Sequence, residues 1–260
     1  MGRIITIANQ KGGVGKTTTA INLSACLAEA GQHVMLVDFD PQGNASSGLG
    51  VEIEEHEHTV YDLMAEEAGL DECLVKNVQD NLDVLPSDMN LAGAEIEFQE
   101  IENKETLLKR YLDQVRDDYD FILIDCPPSL NILTINALTA ADTVLVPIQC
   151  EYYALEGLNQ VLKTVELVRK KLNPQLELEG VVFTMYDART NLSLQVVESV
   201  KSNLNQTIYK TIIPRNVRLA EAPSHGMSIN HYSSRSDTRS TGAESYRMLA
   251  AEVISRGEEL

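Results

Sequence analysis

Residues 4–18 have the sequence IITIANQKGGVGKTT, in which an apolar run leads into a glycine-rich loop and two threonines. The glycines allow the backbone to curl, so that its N–H groups point at a phosphate chain beside the positive end of a helix dipole. Lys16 would place a charge on the β- and γ-phosphates, and the Thr17 hydroxyl would bind Mg²⁺. The segment therefore predicts a nucleotide site, and the residues expected to contact the nucleotide are Lys11, Gly12, Gly13, Val14, Gly15, Lys16, Thr17 and Thr18.

The loop departs from the ordinary phosphate-binding pattern. That pattern, G-x-x-x-x-G-K-[ST], requires glycine at position 10, where this chain has Gln10, and the chain has an additional lysine at Lys11. A solvated surface charge is the simpler interpretation of Lys11. Its place in the motif favours a catalytic role, because a lysine beside the phosphates stabilises the charge that builds up in phosphoryl transfer.

Two further apolar runs end in carboxylates. The first, VMLVDFDPQ at residues 34–42, presents Asp38 and Asp40 on the same side of an extended backbone. The second, FILIDCPPS at residues 121–129, has the Walker B form and ends at Asp125. Caps at a strand end or a turn would also explain such residues. Beside a Mg-nucleotide, we expect Asp38 and Asp125 to hold the metal with Thr17, and Asp40 to orient the attacking water.

Seven short apolar runs alternate with helical patterns. Each has four to eight residues, as parallel strands covered on both faces do. Strands that alternate with helices predict an α/β fold, here a doubly wound, mostly parallel sheet flanked by helices, of P-loop NTPase type. We expect a single domain over residues 1–260. The predicted strands are Arg3–Ala8, Val34–Asp38, Leu82–Leu85, Phe121–Asp125, Thr143–Ile148, Gly180–Met185 and Thr207–Ile213.

The helical patterns have their own start and stop signals. Leu23 and Leu27 recur at helical spacing after the glycine loop, and they predict a helix between the first two strands. Further helices are predicted over Leu155–Leu172 and Thr241–Ile254. A capping box from Thr241 to Glu244 would open the second of these.

Composition excludes several classes of protein. The chain is 43% apolar and 23% charged, which is typical of a globular protein and excludes a disordered chain. It has no run of eighteen apolar residues and no apolar stretch at its start long enough for a signal peptide. The four cysteines form no C-x-x-C pair, so they are expected to be reduced thiols. These features favour a cytoplasmic protein.

The net charge of −18 would argue against a nucleic-acid partner if it were evenly spread. Residues 51–125, however, carry a net charge of −17, whereas residues 181–250 carry +3. The C-terminal third can therefore still present a basic face. A solvated surface explains the acidic segment more simply than adaptation to high salt.

Three motifs together resemble the ParA/MinD superfamily of ATPases: the deviant glycine loop, the DFDPQ of Asp38–Gln42 and the IDCPPS of Ile124–Ser129. The sequence PRNVRLAEAPSHG at residues 214–226 is similar to the chromosomal ParA (Soj) branch, and the likeness covers essentially the whole chain. The resemblance implies ATP and Mg²⁺ as cofactors and a DNA-partitioning function. It also implies an ATP-sandwich homodimer in which Lys11 reaches the partner's nucleotide.

Further properties are implied by the same resemblance. The ATP dimer would bind double-stranded DNA non-specifically through Arg189 and Arg218, and would associate with the nucleoid. A ParB-type centromere-binding protein would stimulate hydrolysis. Pro214 and Asn216 would lie against adenine.

Two alternatives share the glycine loop. A MinD-like positioning ATPase should end in a basic amphipathic helix, but this chain ends in VISRGEEL, whose acids anionic lipids would repel. We therefore expect no membrane partner. An amidoligase-like synthetase would use ATP to activate a small carboxylate, and the lack of an added substrate domain disfavours it.

Overall fold

An eight-stranded sheet runs through the computed structural model, which describes residues 1–204, 207–235 and 240–257. The strands are β1 (Arg3–Ile7), β2 (Val34–Asp38), β3 (Val75–Gln79), β4 (Leu82–Leu85), β5 (Phe121–Asp125), β6 (Thr143–Gln149), β7 (Glu177–Tyr186) and β8 (Ile208–Pro214). Their order is β3-β4-β2-β5-β1-β6-β7-β8, and the described pairs are parallel except for β3 with β4. The predicted doubly wound, mostly parallel sheet is confirmed.

Helices cover both faces of the sheet. They are α1 (Lys16–Glu29), α2 (Asn44–Gly48), α3 (Val60–Met64), α4 (Leu70–Cys73), α5 (Ala94–Glu97), α6 (Leu107–Val115), α7 (Ile132–Ala140), α8 (Ala154–Lys171), α9 (Asn191–Asn203), α10 (Val217–Glu221), α11 (Ile229–Arg235) and α12 (Thr241–Gly257). Short 3-10 turns lie at Ile53–Glu55, Met89–Ala92, Phe98–Glu100, Lys104–Thr106, Arg116–Asp118 and Ala222–His225.

The core lies in two layers, one on each face. Buried side chains of α1, α11 and α12 pack with Ile5 and Leu36 of the sheet on one face. Those of α6, α7 and α8 pack with Ile4 and Val37 on the other. Because β1, β2 and β5 are covered on both faces, their residues are almost all buried, which explains their continuous apolar sequences.

Strand β3 differs from the predicted set. It is an edge strand, antiparallel to β4, with an irregular register and with Asn77 in the left-handed region (φ 54°). Its residues are half-buried or exposed, so its sequence lacks the apolar run by which buried strands are found.

The N-cap of α12 is Ser240, one residue before the predicted Thr241, so the predicted capping box from Thr241 to Glu244 is wrong. The Ser240 hydroxyl accepts a hydrogen bond from the backbone N–H of Ala243 (3.4 Å), as an N-cap side chain does. The Thr241 hydroxyl instead accepts a hydrogen bond from the Asn216 side chain (2.9 Å). Thr241 therefore connects α12 to the loop after β8.

The register of the central strands decides which loops meet. Ile7 of β1 and Asp38 of β2 both pair with Asp125 of β5. The carboxyl ends of parallel strands all lie at the same end of the sheet. The glycine loop and both carboxylate segments therefore leave the sheet side by side at this end.

Candidate nucleotide site

The glycine loop joins β1 to α1 and is held by side-chain hydrogen bonds. Gly13 (φ 74°) and Gly15 (φ 89°) adopt left-handed conformations that other residues rarely tolerate. The Asn9 side chain accepts a hydrogen bond from the Lys11 N–H (3.0 Å) and donates one to the Pro147 carbonyl (2.8 Å). The Thr184 hydroxyl donates to the Val14 carbonyl (2.8 Å). The loop is therefore fixed to β6 and β7 before any phosphate binds.

Lys16 is buried at the start of α1. Its ammonium group donates a hydrogen bond to the Lys11 carbonyl across the loop (3.3 Å). Burial lowers the pKa of Lys16, and the negative field of Asp125 and Asp40 opposes that shift. Phosphate oxygens would stabilise the charged form of Lys16 far better than these contacts do. This environment fits the role predicted for Lys16.

Asp125 and Thr17 provide oxygen atoms suited to Mg²⁺. Burial, and then the neighbouring charge of Asp38, raises the pKa of Asp125 well above its usual value. The Thr17 hydroxyl faces Asp125 and favours the charged carboxylate. Neither Asp125 oxygen, however, has a hydrogen bond of ordinary geometry within the described residues. A buried carboxylate without partners is costly, and a hard cation with oxygen ligands would relieve that cost. The residues fit the metal.

Asp38 and Asp40 lie together at the end of β2. Asp38 is fully buried, and burial raises its pKa to about 6. Its Oδ1 atom accepts a hydrogen bond from the Asp40 N–H (3.3 Å), and its Oδ2 atom is bound by Ser46. Because both oxygens already have partners, Asp38 suits a metal-bound water better than the metal itself. Asp40 is 8% exposed and accepts a hydrogen bond from the Gln42 N–H (3.0 Å).

Lys11 is turned away from the phosphate loop's interior. Its ammonium group forms an ion pair with Glu151, in the loop after β6, and lies 5.9 Å from the centre of the Tyr153 ring. The sequence reasoning did not identify either residue. Their position just after an apolar strand, at the same sheet edge, is the signal that could have found them.

A cavity of about 180 Å³ opens beside Gly15. It is lined by Pro214 and Asn216, the two residues expected to contact adenine. The Asn216 side chain is held by hydrogen bonds with the Arg218 N–H and the Thr241 hydroxyl (both 2.9 Å). Thr18, which the sequence also predicts to contact the nucleotide, lines the same cavity. Four further lining residues were not predicted: Thr184, Met185, Leu219 and Tyr246.

The two arginines expected to contact DNA follow neighbouring strands. Arg189 lies in the loop after β7, and Arg218 lies in α10, after β8. The exposed Arg189 side chain pairs with Asp187 through its Nε and Nη2 atoms (2.9 and 2.7 Å), which holds the pKa of Asp187 well below its usual value. The charge of Arg215 also acts on Asp187. Arg215 is therefore a third arginine of this region, and the sequence reasoning did not select it.

In the part of the chain that the structure describes, no helix is both long and apolar enough to cross a bilayer. The acidic end on which the expectation of no membrane partner rests includes residues 258–260, which lie outside the described ranges.

Comparison with known proteins gives close matches. The AAA domain family matches residues 2–178. The sporulation initiation inhibitor protein Soj of Bacillus subtilis is 58% identical over 99% of this chain and 100% of its own length. The chromosome partitioning protein ParA of Caulobacter vibrioides is 50% identical over 98% of this chain and 94% of its own. A solved structure of cobyrinic acid a,c-diamide synthase from Mycobacterium smegmatis, with bound ATP analogue and magnesium, has a TM-score of 0.86 at 36% identity, covering 99% of this chain and 96% of that one.

The pattern of these matches separates fold from family. The synthase shares the architecture over 99% of the chain, but its sequence is more distant than those of Soj and ParA. The glycine loop with Lys11 and the carboxylates at the same sheet edge agree with the predicted resemblance. The chain therefore belongs to the ParA/Soj family of chromosome-partitioning ATPases, within the ParA/MinD superfamily.

Proposed function

We propose that the chain hydrolyses ATP to ADP and phosphate, and that its nucleotide state drives a cycle of dimerisation and DNA binding. One observation carries the proposal. Buried Lys16 lies at the end of a preformed glycine loop beside Asp125, whose carboxylate oxygens have no hydrogen bond of ordinary geometry within the described residues. A phosphate chain with Mg²⁺ would provide partners for both groups.

The residues divide the chemistry between them. The loop N–H groups and Lys16 bind the phosphates, while Thr17, Asp125 and, through water, Asp38 would hold Mg²⁺. The metal neutralises charge on the phosphate oxygens when it is bound. Asp40 orients the attacking water for in-line displacement, which is positioning more than covalent chemistry.

Dimerisation depends on Lys11 in this proposal. In the single chain, Lys11 pairs with Glu151. In the ATP-bound homodimer, Lys11 reaches the nucleotide of the partner chain and exchanges the carboxylate for phosphate oxygens. Each side chain of this pair is about one-third exposed (36% and 32%), so solvent screens the interaction and breaking it costs little. Bound ATP can therefore shift the balance towards the dimer.

DNA binding follows from dimerisation. A single chain has a net charge of −18 and offers few basic groups to a duplex. A dimer presents two sets of the arginines near Arg189 and Arg218, so one duplex can contact more basic groups at once. Binding to double-stranded DNA therefore becomes ATP-dependent and, because it uses phosphate contacts, independent of base sequence. The ATP dimer would therefore associate with the nucleoid in the cytoplasm. A ParB-type protein that stimulates hydrolysis would release the dimer from the DNA.

Co-sedimentation with DNA tests the proposal directly. The protein should pellet with non-specific duplex DNA in ATP, and should remain in the supernatant in ADP or without nucleotide. Phosphate release should rise when DNA and a ParB-type partner are added together. DNA binding that is equal in all three nucleotide states would contradict the cycle.

The likeness to a diamide synthase makes a synthetase the second candidate. That function predicts ATP turnover that rises with a small carboxylate and an amide donor, and does not rise with DNA. Measuring both turnovers on one preparation separates the two candidates. A MinD-like positioning ATPase would instead bind anionic vesicles in ATP.

A further inference from the structure

Ser46 occupies the centre of a buried hydrogen-bond group beside the nucleotide site. It lies in α2 and is fully buried. Its hydroxyl donates to the Oδ2 atom of Asp38 (2.7 Å), and its backbone N–H donates to the same atom (2.8 Å). The N–H of Ser87, just after β4, donates to the Ser46 hydroxyl oxygen (3.2 Å). Ser46 therefore links Asp38 to the end of β4.

These bonds fix the orientation of Asp38. With its Oδ2 atom held twice by Ser46, Asp38 presents Oδ1 to the N–H of Asp40 (3.3 Å). Asp40 in turn accepts from the N–H of Gln42 (3.0 Å). The Asp38 carboxylate therefore holds the turn that contains Asp40, and Ser46 holds the Asp38 carboxylate.

Close backbone packing keeps α2 itself in place. A Cβ atom on Gly43 would lie 2.8 Å from the Ser87 carbonyl oxygen. A Cβ atom on Gly48 would lie 2.6 Å from the Ile21 side chain of α1, and 3.5 Å from that of Pro223. The segment therefore packs closely against α1, the helix that begins at the phosphate loop. Contacts with Ser87 on one side and with α1 on the other fix its position relative to this loop.

We propose that Ser46 is a positioning residue for ATP hydrolysis, fixing Asp38 and through it the Asp40 turn. Ser46 acts on Asp40 without contacting the nucleotide. The inference rests on the proposed function, in which Asp40 orients the attacking water. It adds a residue that the three sequence motifs do not contain.

Ser87 provides a matched control. It is also a fully buried serine, but its hydroxyl has no hydrogen-bond partner among the described residues. Only its backbone N–H contacts Ser46. Ser87→Ala therefore removes a buried hydroxyl from the same region and leaves every bond to Asp38 in place. The pair of variants separates loss of positioning from general loss of packing.

The test measures hydrolysis and nucleotide binding separately. Ser46→Ala should slow single-turnover phosphate release by roughly 10- to 100-fold, because small displacements of reacting groups cost that much. Its affinity for a non-hydrolysable ATP analogue should stay within about twofold of wild type, because the phosphate loop is intact. Ser87→Ala should retain the wild-type rate and affinity. A wild-type rate in Ser46→Ala, or equal slowing in Ser87→Ala, would overturn the inference.

A second variant covers the case in which Ser46→Ala does not fold. Ser46→Cys nearly preserves the volume and keeps a weak donor, and its rate should fall between those of wild type and Asp40→Ala. A wild-type rate in Ser46→Cys would then overturn the inference. Asp40→Ala separates the proposed role of Asp40 from that of Ser46. If Asp40→Ala hydrolyses ATP normally, the proposed role of Asp40 is wrong. If Asp40→Ala hydrolyses ATP slowly but Ser46→Ala hydrolyses it at the wild-type rate, the proposed role of Ser46 is wrong and that of Asp40 stands.

Discussion

The two lysines of the phosphate loop have opposite surroundings. Lys16 is 6% exposed and lies over the loop interior, whereas the Lys11 side chain is 36% exposed and pairs with Glu151. A buried ammonium group needs anionic partners, and a partly exposed one in contact with solvent can exchange its partner at smaller cost. The two residues therefore suit different tasks, phosphate binding within one chain for Lys16 and contact with a second chain for Lys11.

Gly12 tests the contact between chains. A Cβ atom at this position would lie 4.0 Å from the Pro128 side chain, an ordinary contact, so a single chain has room for a side chain there. In a face-to-face dimer, the residue next to Lys11 approaches the opposing chain. Gly12→Val should therefore bind ATP and remain a monomer in analytical ultracentrifugation. An ATP-dependent dimer of normal affinity would contradict the arrangement.

Asp40 should separate nucleotide binding from hydrolysis. Asp40→Ala leaves Lys16, Thr17 and Asp125 in place, so ATP should still bind. General acid–base and positioning residues contribute roughly 10²- to 10⁴-fold in rate, and hydrolysis should fall by about that factor. The ATP form bound to DNA should then accumulate in a pelleting assay.

Lys16→Ala is the contrasting variant. Without its ammonium group the phosphates lose their buried cation, so ATP affinity itself should fall when measured by equilibrium binding. If Asp40→Ala and Lys16→Ala lose ATP affinity equally, Asp40 acts in binding and not in orienting water.

Among the elements, two segments far apart in the sequence pack against each other through a pair of glycines. One segment follows α2, and the other follows the 3-10 turn after α10. Gly50 (φ 79°) and Gly226 (φ 62°) both adopt the left-handed conformation. A Cβ atom on Gly226 would lie 2.8 Å from the Cα atom of Gly50. This contact connects the Asp38–Asp40 region with the chain that continues from the predicted adenine-contacting residues.

Gly226→Ala should disturb this contact. The left-handed conformation costs an alanine about 1–2 kcal/mol, and the clash with the Gly50 backbone should add about 1–3 kcal/mol. Urea denaturation should show the sum as a lower free energy of unfolding. Gly31→Ala is the control, because Gly31 (φ 87°) is left-handed but has nothing within 4 Å of a Cβ atom. Equal losses in the two variants would show that the contact between segments contributes nothing.

At the scale of the whole molecule, charge is separated along the chain. Nearly all the excess acid lies in residues 51–125, which contribute the β3–β4 edge of the sheet and α3 to α6. Arg189, Arg215 and Arg218 lie after β7 and β8, at the opposite edge. Overall charge therefore does not decide which face meets DNA. A duplex approaching the β7–β8 edge is kept away from the acidic segment by the width of the sheet.

The double variant Arg189→Ala with Arg218→Ala should weaken binding to all duplexes alike. Each lost phosphate contact lowers the slope of log affinity against log salt by about one. Asp187 binds two of the Arg189 donors but leaves others free for phosphate. ATP-dependent dimerisation should be unchanged. Unchanged affinity and salt slope in a filter-binding titration would place the DNA face elsewhere, with Lys201, Lys210 and Arg247 next to be tested.

The class of fold and the centre of the site can be predicted from the amino-acid sequence alone. Buried parallel strands are continuous apolar runs, and a phosphate loop is one contiguous segment, so both are visible in local pattern. All seven predicted strands lie in the sheet, and the Lys11–Thr18 loop, Asp38 and Asp125 meet at one edge of it. The single domain and the residue roles remain predictions.

The residues that complete the site can be identified only from the three-dimensional fold. Glu151 beside Lys11 follows β6, Thr184 beside the loop lies within β7, and Ser46, which binds Asp38, lies in α2. Strand order brings Glu151 and Thr184 to the loop, and the fold of the segment after β2 turns Ser46 back onto Asp38. Neither leaves a periodic signal in the sequence. The exposed edge strand β3 escaped detection for the related reason that it has no buried face to impose an apolar pattern on its sequence.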